Sequence, residues 1–142
     1  VRSDASSTAY SSAYSMPVLG GTPRQLLREV DTAVRFSPDG KRLAFVRGVP
    51  ETGKAALVVA NVDGTGERTL WDVDAELNTR GILAPDWSPD GRSIAMSSAI
   101  RGAGVVTIVN VADQTAQPLY RHRGNIGRPR WMPGGSGASC IF

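Results

Sequence analysis

Short apolar runs alternate along the chain with clusters of Gly, Pro, Asp and Ser, and the alternation repeats. Phe36-Ser37-Pro38-Asp39-Gly40-Lys41-Arg42-Leu43-Ala44-Phe45 returns 51 positions on, as Trp87-Ser88-Pro89-Asp90-Gly91-Arg92-Ser93-Ile94-Ala95-Met96. A weaker third copy starts 44 positions after Trp87, at Trp131-Met132-Pro133-Gly134-Gly135, with Met132 in place of the serine and Gly134 in place of the aspartate. A second pattern is interleaved, in which a valine is followed by a turn segment and, eight residues on, by a leucine: Val18 to Leu26, Val62 to Leu70 and Val111 to Leu119. A period of roughly 44 to 50 residues lies in the range of propeller-type arrays, whose single units cannot bury their own apolar faces.

Local chemistry orders the elements of each unit. Asp-Gly between apolar alternations signals a hairpin, because a two-residue turn of the favoured twist needs positive φ at its central residues. Asp39-Gly40 and Asp90-Gly91 supply it, and Pro38 and Pro89, lacking an amide proton for a ladder, belong at the end of the incoming strand. That strand finishes near Phe36 or Trp87. The outgoing strand, 42–46 or 93–97, places Leu43 and Phe45 on one face and Ala44 and Val46 on the other. Residues 55–62 and 105–111 are apolar almost throughout, which marks a strand covered on both sides; their valines favour strand over buried helix. The last strand, 67–70 or 117–120, is short and more polar, as a sheet edge should be.

Each unit thus reads as a four-stranded antiparallel meander that needs a neighbour on each face. The predicted fold is all-β, a partial, open propeller of two full blades at about 31–70 and 83–120, with partial blades at 10–27 and 128–142. The Ser-rich start, residues 1–15, has little to bury and reads either as disordered or as a strand of a preceding blade marked by Tyr10 and Tyr14.

The Ser-Pro-Asp-Gly hairpin followed by Arg-Leu-Ala-Phe, then Leu57-Val58-Val59-Ala60-Asn61-Val62-Asp63-Gly64, resembles the TolB-type, WD-repeat-like propeller blade over about residues 18–132. The opening Met16-Pro17-Val18-Leu19-Gly20-Gly21-Thr22-Pro23-Arg24-Gln25-Leu26-Leu27 is additionally similar to blades that follow bacterial eukaryotic-like serine/threonine kinase domains. Such blades build scaffolds in many proteins, so the resemblance implies fold more than function. It implies a bacterial protein, periplasmic or otherwise extracytoplasmic with a cytoplasmic setting as the alternative, that binds a protein partner or senses a ligand. The rival implication is an accessory propeller of a prolyl-oligopeptidase-type peptidase or a serine/threonine kinase, with the catalytic domain outside these residues. Propellers close with about 4 to 8 blades. Both ends of the chain fall inside repeat units, so the expectation is a segment of a longer protein, its open edges covered by further blades or by self-association.

Composition adds limits. With 142 residues, the chain is the size of one small domain. Its net charge of +3 comes from arginines spread along the sequence rather than a dense basic arm, so no nucleic-acid partner is implied. No apolar run is long enough to span a membrane. One cysteine, Cys140, excludes an internal disulfide framework.

Candidate chemistry is sparse. No catalytic constellation, metal set or cofactor motif stands out. Gly135-Ser136-Gly137 is not a nucleophile elbow, a Cys140–His122 pair has no orienting third group, and Gly102-Ala103-Gly104 lacks the helix of a phosphate loop. Asp63, Asp72, Asp74 and Glu76 only half resemble a calcium loop and read as solvated. The residues singled out are the structural turns Pro38, Asp39, Gly40, Pro89, Asp90 and Gly91, and a basic loop of Arg121, His122, Arg123, Arg128 and Arg130 beside Trp131. That loop reads first as solvated, and second as a recogniser of an acidic partner or single-stranded nucleic acid.

Overall fold

The computed structural model describes residues 11–49, 52–73, 85–100, 102–124, 126–132 and 140–141, which form twelve strands and no helix. Strands β1 (Ala13–Ser15) and β2 (Arg24–Leu27) pair antiparallel. A four-stranded meander follows: β3 (Arg35–Phe36), β4 (Arg42–Val49), β5 (Lys54–Asn61) and β6 (Arg68–Val73), hydrogen-bonded in chain order. A second meander repeats it with β7 (Asp86–Trp87), β8 (Ser93–Ile100), β9 (Ala103–Asn110) and β10 (Ala116–Arg123). Finally β11 (Arg130–Trp131) pairs with β12 (Cys140–Ile141). The first strands of successive units lie side by side, β3 against β7 and β7 against β11.

The period-two pattern splits the first meander's side chains between two cores. Leu43, Phe45, Ala56, Val58 and Ala60 pack toward β1 and β2 with Leu27 and Val30. Ala44, Val46, Ala55, Leu57, Val59, Leu70 and Val73 pack against Trp87, Ile94, Met96, Val109 and Val111 of the second meander. Phe45, Leu57 and Ile94 are fully buried, which stabilises by roughly 1.5–3 kcal/mol each. On the far face of the second meander β8 carries the small residues Ala95 and Ser97 opposite Ile108 and Val106 of β9. At one end of that face Gly104 leaves room for the segment before β11, since a Cβ there would stand 2.6 Å from that of Ile126.

The Asp-Gly hairpins depart from the expected two-residue turn. Ser37 N–H donates to the Arg42 carbonyl at 2.9 Å, so the loop has four residues, Pro38 to Lys41. Its first part is a type I turn closed by Gly40 N–H to the Ser37 carbonyl, and Gly40 alone, at φ +68°, is left-handed. Gly91 repeats this with the same φ. Side chains explain the difference. The Asp39 carboxylate accepts from the Ser37 hydroxyl at 2.5 Å and the Lys41 amide at 3.1 Å, which holds Asp39 out of the left-handed region.

The outer strands are longer than their composition suggested. β6 runs through Trp71 and Asp72, and β10 takes in Arg121, His122 and Arg123, which are therefore strand and not loop. The two outer strands match through a bulge: Leu57 pairs with Trp71 and Val58 with Thr69, as Val106 pairs with Tyr120 and Thr107 with Pro118. Their environments differ sharply. Leu70 and Val73 are buried under the second meander, whereas Leu119, at the position of Leu70, is 54% exposed.

Candidate interaction surface

Each Ser-Pro-Asp-Gly turn is a closed set of hydrogen bonds. In the second, Ser88 Oγ donates to Asp90 at 2.6 Å, the Arg92 amide to Asp90 at 3.0 Å and the Ser93 amide back to Ser88 Oγ at 2.9 Å. The turns between third and fourth strands do the same with threonine: Asp63 accepts from the Thr65 amide and hydroxyl, and Asp113 from those of Thr115. Backbone bonds then tie the two turns of each sheet together, Val62 N–H to Lys41 O and Val111 N–H to Arg92 O, both 2.9 Å. All four turns lie at one end of the stacked sheets and form a rigid end face.

These bonds stabilise the ionised carboxylates. The serine hydroxyl and then the backbone amide hold Asp39 and Asp90 below the ordinary carboxylate value, and Thr65 and Thr115 do so for Asp63 and Asp113. A pKa lowered by folding gives stability that is fully present above the ordinary value and is lost as pH falls through the lowered one. Thermal midpoints should therefore hold from neutrality to about pH 4 and decline below it. Asp90→Asn should flatten that decline; a variant whose acid limb matches the parent's would remove the turn carboxylates from the account.

Sheet-to-sheet ties repeat along the stack. Trp87 Nε1–H donates to the Arg35 carbonyl at 3.2 Å, and Trp131 Nε1–H donates to the Asp86 carbonyl at 3.0 Å. Arg24 reaches the Asp63 carbonyl at 3.4 Å, and Arg68 the Val111 carbonyl at 3.2 Å. Arg24 and Arg68 each stand six residues after the valine of the valine-to-leucine interval, and Gln117 occupies the third such place. That shared position is the signal from which the arginine ties were legible.

The basic stretch is not one cluster. Arg121, His122 and Arg123 lie on outer strand β10, where His122 stacks on Tyr120 with ring centroids 6.3 Å apart. Arg130 lies on β11 beside innermost strand β7 and meets Asp86 at 3.6 Å. Three strand spacings, roughly 14 Å, separate the inner and outer strands. Arg128 is exposed in the connection between them. Asp63 and Asp72 occupy opposite ends of their sheet; Asp74 and Glu76, Gly134 to Gly137 and the Cys140 side chain lie outside the described residues. Among the described residues, no group of three His, Cys, Asp or Glu side chains is placed to hold a metal ion.

Stacked four-stranded antiparallel meanders with their first strands side by side are β-propeller blades. No family profile matches the chain. It is 33% identical over 89 residues, 63% of its own length and 12% of the relative's, to "Uncharacterized peptidase YuxL" of Bacillus subtilis (strain 168). It is 31% identical over 85 residues, 58% of its length and 18% of the relative's, to "Tol-Pal system protein TolB" of Xylella fastidiosa (strain M12). The crystal structure of TolB from Acinetobacter baumannii superposes with a TM-score of 0.65 and 20% identity over 87% of this chain and 30% of that one. The β-propeller domain of the Trilobed protease from Pyrococcus furiosus gives 0.55 and 20% over 78% and 33%. The blades are TolB-like, an open set of two complete sheets with a partial one on either side. The chain spans less than a fifth of the length of these sequence relatives.

Proposed function

We propose that these blades serve a bacterial, extracytoplasmic protein as a non-catalytic scaffold for protein interaction or ligand sensing, using the end face built by the four Asp-centred turns. The carrying observation is that end face: hydrogen-bonded turns mounted on rigid stacked sheets, in a chain similar to proteins named for the Tol-Pal system. In this reading the full units run over about 31–70 and 83–120, partial units over 10–27 and 128–142, and residues 1–15 precede them. A second reading, an accessory propeller of a serine peptidase, is favoured by the similarity to the Bacillus subtilis peptidase. A fluorophosphonate probe applied to the parent protein separates the two. Absence of labelling is the expected result, and covalent labelling would select the peptidase.

The partner nearest at hand is a further blade. Leu119, Tyr120 and His122 stand where Leu70, Trp71 and Val73 stand in the first blade, and the latter are covered by a following sheet. With Leu119 and Tyr120 exposed, the isolated 142-residue chain is expected to self-associate. A monodisperse monomer by light scattering would overturn that expectation.

A further inference from the structure

Where the two complete blades meet at the turn end, a cleft of about 360 Å³ is lined by Arg42, Arg68, Gly91, Arg92, Asn110 and Val111. Two arginines come from the first blade, at the starts of β4 and β6, and the third from the turn that opens β8. Arg42 is fixed by the Gly91 carbonyl at 3.2 Å and by lying 4.8 Å over the Trp87 ring. Arg68 is fixed by the Val111 carbonyl. Each guanidinium spends one N–H of its five on that bond. Among the described residues, none of the three forms an ion pair with a carboxylate. In the neighbouring acids one carboxylate oxygen is engaged within its own turn, Asp39 Oδ1 by the Ser37 hydroxyl and the Lys41 amide, Asp90 Oδ1 by the Ser88 hydroxyl and the Arg92 amide. Asn110 turns its Oδ1 to the amides of Ala112 and Asp113, which leaves its NH₂ as one more donor.

The lining is therefore rich in donors and poor in acceptors, with three like charges held together by the stacking of the blades. We propose that this inter-blade cleft binds a carboxylate side chain presented by an acidic segment of a protein partner. A carboxylate matches the planar fork of a guanidinium and relieves the repulsion among the three. A nucleic acid fits worse than a lone carboxylate, because its closely spaced phosphates must run past Asp39, Asp63, Asp90 and Asp113 on the same end face, whereas one carboxylate side chain spaced from its neighbours can enter the cleft alone. The proposal rests on the scaffold reading above and names the chemistry of its partner.

The test uses the parent protein and a fluorescein-labelled Glu-Gly repeat peptide, read by anisotropy at low salt. Arg92→Gln, which removes a guanidinium that holds no described hydrogen bond, should weaken binding about tenfold, the worth of one charge-assisted hydrogen bond. Arg92→Glu should abolish it. Arg121→Gln, on the outer strand, should stay within about twofold of the parent. An Arg92→Gln affinity equal to the parent's, or displacement of the peptide by inorganic phosphate or duplex DNA at lower concentration than by glutarate, would overturn the proposal. Such a failure in a protein that fluorophosphonate leaves unlabelled removes the cleft and keeps the scaffold. Labelling removes the scaffold whatever the peptide does.

Discussion

Trp87→Ala is expected to lower the unfolding free energy by about 3–5 kcal/mol, the usual cost of emptying a buried aromatic site. Three interactions are lost together. The ring is only 6% exposed within the core shared by the two blades, its N–H satisfies the Arg35 carbonyl, and its face supports the Arg42 guanidinium. Trp87→Phe keeps most of the apolar area and should cost about 1–3 kcal/mol, chiefly for the carbonyl left without a donor. Phe36, at the same place in the first blade, lacks that N–H and is 63% exposed. Urea denaturation followed by circular dichroism measures both variants. A loss below about 1 kcal/mol for Trp87→Ala would mean that the two sheets do not share a core.

Apolar alternation predicted much of this architecture because it reports burial directly. Leu43 and Phe45 pack toward the preceding unit and Ala44 and Val46 toward the following one, as the pleat requires. Where polarity was used as a proxy for loop, it misled. Arg121, His122 and Arg123 pair with Val105, Gly104 and Ala103, and an outer strand needs only those backbone bonds, not an apolar face. The hairpin length was misjudged for a related reason. Asp-Gly describes the turn's backbone preference, but the serine hydroxyl and aspartate carboxylate choose the four-residue form. The arginine cleft was hidden because Arg42, Arg68 and Arg92 are far apart in sequence and converge only through the stacking of one blade on the next.

Gly64→Ala is the second substitution expected to act strongly, and it tests how the first complete blade is held to the strand pair before it. Gly64 sits at φ +86°, where an alanine costs about 1–2 kcal/mol by itself. An added Cβ would also fall 2.3 Å from the Leu26 carbonyl oxygen of β2. That neighbour is backbone, tied to the same turn by Arg24 on the Asp63 carbonyl, so relief requires the strand to move and adds about 1–3 kcal/mol. Gly53, at φ +65° with nothing within 4 Å of the added Cβ, isolates the first contribution. Gly53→Ala should therefore lose about 1–2 kcal/mol and Gly64→Ala about 2–5 kcal/mol, compared by denaturant midpoint at constant slope. Equal losses would show that β2 does not press on the turn. The stack would then be continuous only between the two complete blades, where the Trp87 substitution probes it separately.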